Sequence, residues 1–355
     1  MSKQQEIDNG VQEHQRRVRY KGRYPRNYKE KYKELQPEKY ADTIEKVISK
    51  GSTPAGMHIS IFVKEILDFL QIRPGQQGLD ATLGYGGHTL EMLKKLAHQG
   101  HMYATDVDPI ESAKTRERLK NLGYDDNFLT IKLMNFADID KLVAEVGRFN
   151  FVLADLGVSS MQIDNPDRGF SYKKAGPLDL RMNPQKGISA AERLRDITQE
   201  ELEGMLIDNS DEPFAKEISK IIVADIKRGH VIDTTDKLHC EIEKALIMVP
   251  ENERKEAIKK SSARTFQALR IDVNREYEVL YEFLEKLPEA VVSGGRIAIL
   301  TFHSGEDRLV KQAFKEFYRR GIYQEISKEV IRPSIEECAK NSRARSTKLR
   351  WAIKA

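Results

Sequence analysis

Leu79-Asp80-Ala81-Thr82-Leu83-Gly84-Tyr85-Gly86-Gly87-His88-Thr89 is the stretch on which the fold turns. Residues 77–83 read as a short strand that ends in a turn with three glycines in four positions. Residues 89–99 read as a helix with Leu90, Leu93 and Ala97 inward and Gly100 as its C-cap. A strand feeding a helix through glycines opens a parallel α/β unit. Glycine lets backbone approach a ligand closely, and a helix N-terminus favours an anion. A dinucleotide fingerprint counted from Gly84 would need glycine where Thr89 stands, and Gly87 is extra, which weakens a nicotinamide or flavin reading. A carboxylate-bearing ligand such as S-adenosylmethionine suits the same cradle.

Outward from this stretch the alternation continues. Residues 101–105 read as a second strand ending at Asp106. Asp108-Pro109 reads as N-cap and first-turn proline of the next helix, and residues 128–133 as a third strand. Residues 149–154 are apolar throughout, as a strand buried on both faces should be. Residues 165–274 then show helical signals and no convincing strand. These are a capping box at Thr198-Gln199-Glu200-Glu201, then apolar positions Phe214, Ile218, Ile221 and Ile222, then Leu238, Ile242, Ala245 and Leu246. The α/β pattern resumes with a helix carrying Tyr277, Leu280, Leu284 and Leu287. After Gly294-Gly295 comes a strand over 296–302, then a helix with Leu309, Val310, Phe314 and Phe317 inward and Gly321 as its stop. Residues 348–353 close the pattern as a strand. Upstream, Ile61, Phe62, Ile66, Phe69 and Leu70 share one helical face. The organisation expected is a basic N-terminal arm over 1–57, a discontinuous α/β core over 58–164 and 275–355, and a helical insertion over 165–274.

Composition bounds the function. The chain has 355 residues, enough to bury a core without staples, and only two cysteines, Cys240 and Cys338. That excludes a disulfide framework and a Cys-rich zinc site, and fits a reducing cytosol. Charged residues make up 32 %, the mean hydropathy is −0.57, and no apolar stretch approaches a membrane span. The first forty residues have no apolar h-region, so a secretory signal is excluded and a cytoplasmic protein without a membrane partner is expected. The net charge of +4 hides an asymmetry. Residues 16–33 hold nine cations against Glu30 alone, with Tyr20, Tyr24, Tyr28 and Tyr32 interleaved. Residues 339–355 hold six cations and no acid. The rest is therefore acidic, and two basic ends point to a polyanion.

Three strand ends carry candidate chemistry. Asp106 follows Gly86 by twenty residues, the offset of an acid that accepts from ribose hydroxyls, while Asp108 serves better as the helix cap. Asp155, opening Asp155-Leu156-Gly157-Val158-Ser159-Ser160, lies where open α/β sheets bind ligands. Thr301-Phe302-His303-Ser304 falls on the same rim. No acid is paired with His303 in sequence and no G-x-S-x-G elbow exists, so a serine hydrolase is disfavoured. His58, His88 and His303 lack metal-ligand spacing, and no metal is expected.

Together these segments resemble a known family, the bacterial ribosomal RNA small subunit methyltransferase H enzymes, which methylate N4 of a cytosine in 16S rRNA. The resemblance runs from about His58 to Arg350. It is carried in order by LDATLGYGGHT, DVDP, ADLGVSSMQID, RGFSY, GPLDLRM, ARTFQALRIDVN, GGRIAILTFHS, EDRLVK and SRARSTKLR. It implies a Rossmann-like S-adenosylmethionine-dependent methyltransferase sheet with a helical insertion for substrate recognition. It implies cofactor contacts at Gly86, Gly87, His88, Asp106, Phe136, Asp155 and Gln162, the cases for Phe136 and Gln162 resting on resemblance alone. It implies 16S rRNA within the small ribosomal subunit as partner, and it permits a homodimer. Asp155 is then the acceptor for the amine, and Phe170, Tyr172 or Phe302 the ring that stacks on the base. Departures at residues 59–63, at Asp272 and at Gly305, together with the basic arm, mark a divergent, second-type member. The alternatives are an amino-methyltransferase on another nucleic-acid base and a non-catalytic ribosome-assembly binder.

Overall fold

The computed structural model describes residues 60–355. The basic arm, its tyrosines and His58 lie outside the described residues. The first described helix, α1 (Val63–Leu70), buries Ile66 and Leu70. It begins one residue after Phe62, which is fully buried in a left-handed conformation and donates its N–H to Glu337 Oε1 at 2.7 Å.

The sheet is built from β1 (Gln76–Asp80), β2 (Gly100–Asp106), β3 (Leu129–Leu133), β4 (Phe149–Asp155), β5 (Val291–Thr301), β6 (Tyr323–Ile326) and β7 (Lys348–Lys354). Their order is β3-β2-β1-β4-β5-β7-β6. The first five pair in parallel, and β7 runs antiparallel between β5 and β6. Helices α2 (Gly87–Leu96), α3 (Pro109–Asn121) and α4 (Ile139–Val146) link β1 to β4. Phe149, Phe151, Val152, Leu153 and Ala154 are wholly buried, as the apolar run demands of a central strand. β1 pairs with β2 on one side and β4 on the other, so strand order reverses there and opens a crevice beyond the carboxyl ends.

After the short helix α5 (Ser160–Asp164) come α6 (Ala190–Arg195), α7 (Gln199–Ser210), α8 (Ala215–Lys227), α9 (Thr235–Ala245) and α10 (Glu251–Asn274). Ser189 and Thr198 carry complete capping boxes at α6 and α7. These helices have their own apolar core, centred on Leu202, Leu206, Ile218, Ile222, Leu238, Ile242 and Leu269. The sheet carries two further cores, one on each face. The chain returns through α11 (Glu276–Lys286) to β5, then α12 (Ser304–Arg319), β6, the short α13 (Ile335–Lys340) and β7.

Two local readings are corrected, and two elements have no clear sequence signal. Gly100 does not cap α2. That helix ends at Leu96 with Ala97 left-handed, and Gly100 opens β2 at φ 126°, where a Cβ would meet Gln76 O at 2.3 Å. Gly294-Gly295 lies inside β5, not before it. The pairing with β4 slips between Phe149 and Phe151, an irregularity that Gly294 at φ 73° accommodates. The 24-residue α10, the longest described helix, has no clear sequence signal, because charged residues on its cavity side dilute the apolar periodicity. β6 has none either, its four residues being too few to set a period.

Candidate functional site

A cavity of 1220 Å³ opens over the carboxyl ends of the strands, bounded on the far side by α10 and the 170–187 loop. Gly86, Gly87, His88, Asp106, Phe136, Asp155 and Gln162 all line it, so residues up to 76 positions apart meet in one space.

The loop after β1 is braced from three sides. Asp80, at the strand end, is 1 % exposed and accepts from Thr82 N–H and from Thr89 Oγ at 2.6 Å. Burial pushes its carboxyl above the ordinary range, although Thr89 and His88 oppose the shift. Thr115 donates to Gly84 O at 2.8 Å, and the Arg118 guanidinium lies 3.5 Å over the Tyr85 ring. Gly86 sits at φ 72°, and a Cβ there would meet Thr115 Cγ2 at 2.7 Å, so only glycine fits between loop and α3. Asp106 Oδ2 accepts from Gly84 N–H at 2.7 Å, and Oδ1 from Asp108 N–H at 2.9 Å. Burial raises its pKa to about 6 against those two donors.

Asp155 ends β4. Its N–H donates to Thr82 Oγ at 2.6 Å, which ties it to the first loop. Asp155 Oδ2 lies 3.5 Å from His88 Nε2, while Oδ1 is buried without a hydrogen-bond partner. Burial works against the His88 imidazolium, yet the Asp155 carboxylate, helped by Asp80, outweighs it and the net shift is upward. The Asp155 side chain is 31 % exposed and lines the cavity.

Asp108 caps α3 by accepting from Ile110 and Glu111 N–H, as expected. It is also a hub. Gln162 Nε2 donates to Asp108 Oδ2 at 2.8 Å, and the buried Arg168 guanidinium does so at 2.7 Å. Gln162 Oε1 accepts from Ser159 N–H, so both ends of its amide are engaged within the protein. Phe136 stands at the β3 side of the cavity with its ring edge-on to Phe283 at 5.0 Å.

Sequence reasoning missed the network on the β5 side. Arg270 grips Glu276 through Nε and Nη2 at 2.7 and 2.9 Å. Glu306 is 3 % exposed, accepts from Phe302 N–H at 2.8 Å, and lies 3.2 Å from His303 Nε2. Ligand atoms of Glu276, His303 and Glu306 come within 4.8 Å of one another, but the Arg270 fork already supplies a cation there. No spacing signal announces this cluster, since α10, α11 and α12 each contribute to it. The C-terminal cations need a correction too. Lys348 and the buried Arg350 pair with Asp307 at 2.9 and 2.6 Å, so β7 spends them inside the fold and they do not form a free basic end. The departures at Asp272 and Gly305 are accommodated. Asp272 pairs with Arg193 at 3.0 Å, and a Cβ on Gly305 would lie 1.9 Å from the Tyr277 hydroxyl.

The glycine cradle, the acid at the end of β2 and Asp155 at the end of β4, all on the cavity wall, fit a sulfonium amino-acid nucleoside. Sheet and site define an S-adenosylmethionine-dependent methyltransferase. The chain belongs to the MraW methylase family, whose model matches residues 55–355. It is 72 % identical to the ribosomal RNA small subunit methyltransferase H 1 of Lachnoclostridium phytofermentans, over 99 % of this chain and 96 % of that protein. It is 64 % identical to the ribosomal RNA small subunit methyltransferase H 2 of Alkaliphilus metalliredigens, over 98 % of this chain and 100 % of that protein. Identity to the ribosomal RNA small subunit methyltransferase H of Koribacter versatilis is 37 %, over 84 % of this chain and 94 % of that protein. Both relatives with numbered names are far more similar to this chain than the unnumbered one, as a divergent branch requires. No helix among the described residues is long and apolar enough to cross a membrane.

Proposed function

We propose that this protein methylates the exocyclic N4 amine of a decoding-centre cytosine in 16S rRNA of the small ribosomal subunit, in the cytoplasm. The relatives' names support the RNA, and one observation carries the chemistry: the Asp155 side chain, 31 % exposed, lines the cavity beside the glycine cradle. S-adenosylmethionine, when bound, supplies an electrophilic methyl group on a positively charged sulfur. In this reading Gly86, Gly87 and His88 hold its amino-acid end, Asp106 its ribose and Phe136 its adenine. Gln162 shapes the wall through Ser159 and Asp108. The helical insertion over 165–274 and the arm over 1–57 contact RNA.

The cytosine amine is a poor nucleophile because its lone pair is delocalised into the ring. The Asp155 carboxyl accepts one N4–H and draws the lone pair back onto nitrogen. His88 Nε2, 3.5 Å from Oδ2, fixes the direction of the carboxyl group. When the amine takes up the methyl group, Asp155 would receive its surplus N4 proton. Positioning and charge therefore account for most of the rate.

The test is to incubate small ribosomal subunits with labelled S-adenosylmethionine and map the modified base by mass spectrometry. Asp155→Asn is expected to lower turnover by about 10²–10³-fold, the scale of losing one well-placed electrostatic group, with a smaller loss of cofactor affinity. Wild-type turnover in that variant, or label on another base, would overturn the reading.

A further inference from the structure

We infer that Phe302 is the platform on which the target base lies, with its amino edge turned to Asp155. The inference rests on the function proposed above and assigns the base a place within that site.

The order of the strands orders the rim. Phe136 follows β3, Asp106 ends β2, the glycine loop follows β1, Asp155 ends β4, and Phe302 follows β5. With the cofactor spread from Phe136 to Asp155, the acceptor nitrogen must approach from the β5 side. Asp155 pairs with Leu300 in register, and Leu156 N–H donates to Leu300 O at 3.1 Å. Phe302 is two residues beyond Leu300 on that same edge. A Cβ built on Gly157, itself at φ 91°, would lie 3.8 Å from the Phe302 ring. A side chain there would rest in ordinary contact against the ring, and glycine leaves that face uncovered.

The other aromatic rings of the cavity are already engaged. Tyr85 lies under Arg118. Tyr172 is stacked on His239 at 5.0 Å and packed against Phe266 at 5.9 Å. Phe170 is 8 % exposed beneath the Arg168 guanidinium, and Phe266 is 4 % exposed. Phe136 is on the opposite flank, against Phe283. Phe302 has no ring or guanidinium partner among the described residues, lines the cavity and is only partly buried. Its backbone is held firmly, because its N–H donates to the buried Glu306. A rigid, half-exposed ring is what base stacking requires.

The arrangement also selects. Stacking accepts any base, since each has a π face. A base lying on Phe302 meets the Asp155 carboxylate along its edge, where an amino group donates and a carbonyl is repelled. Cytosine fits, and uracil, with a carbonyl at the equivalent position, does not.

The experiment uses the full-length protein and small ribosomal subunits lacking the modification. Three variants, Phe302→Leu, Phe302→Tyr and Tyr172→Leu, are compared by kcat/KM, cofactor affinity from titration calorimetry and melting temperature. Phe302→Leu is expected to lose about ten- to hundredfold in kcat/KM, the scale of one base–aromatic stack, at unchanged cofactor affinity and melting temperature. Phe302→Tyr keeps the ring and should stay within about threefold. A Phe302→Leu enzyme as active as wild type would overturn the assignment. So would equal losses in Phe302→Leu and Phe302→Tyr, or a loss confined to Tyr172→Leu. Wild-type protein that modifies no base in the subunit would remove the proposed function itself, and the platform with it.

Discussion

In the proposed function, Asp106 is the single carboxyl that sets the working range of the cofactor site. Burial raises its pKa to about 6 while two backbone donors already occupy its oxygens. Ribose hydroxyls are held best by the ionised form, which is lost as pH falls through that value. Cofactor affinity is therefore expected to weaken about tenfold between pH 7.5 and 5, where roughly one carboxyl in ten remains ionised. Calorimetry across that range checks it, and Asp106→Asn should bind weakly with a flat profile. Part of this residue is legible in sequence, since its offset from Gly86 points to ribose. Its duty to Gly84 and Asp108 is not, because backbone N–H groups leave no mark in side-chain patterns. Asp155 is likewise placed by its strand end. Its pairing with His88, 67 positions earlier, appears only when the two loops meet.

At the scale of elements, Arg168 is the rivet between the helical segment and the core. It reaches Asp108 at the start of α3 and the carbonyls of Arg181 and Met182 in the cavity-side loop. Both partners of the ion pair are buried, with side chains 8 % and 0 % exposed. Arg168→Met would leave the Asp108 charge without its cation and is expected to cost about 3–5 kcal/mol, measured by denaturant unfolding with an unchanged slope. Such joints explain which elements the sequence shows. β4 and α7 announce themselves through an apolar run and a Thr capping box. α10 does not, because one side packs on α7 and α9 while the other carries Lys259, Lys260 and Gln267 along the cavity. A helix serving two masters loses its period. Gly294-Gly295 misleads for a related reason: a bulge inside a strand uses the same residues as a turn before one.

Across the whole molecule, charge separates from the catalytic body less simply than composition suggests. Lys348 and Arg350 are consumed by Asp307, so the arm over 1–57 is the stronger candidate for a grip on RNA. Removing residues 1–50 is expected to weaken binding to small subunits and to flatten its salt dependence, by about 0.7–0.9 in slope for each phosphate that the arm neutralises. Equal slopes with and without the arm would show that it touches no phosphate.

The position of β7 has a temporal consequence. It follows every other described strand along the chain, yet it lies between β5 and β6. While the protein is being synthesised, both neighbours are complete before residues 348–354 emerge. Until then each presents an open row of N–H and carbonyl groups, a template for pairing with another chain. The sheet is thus sealed from within by the last of its strands to arrive. A nascent chain is most vulnerable to association in the interval just before that strand enters.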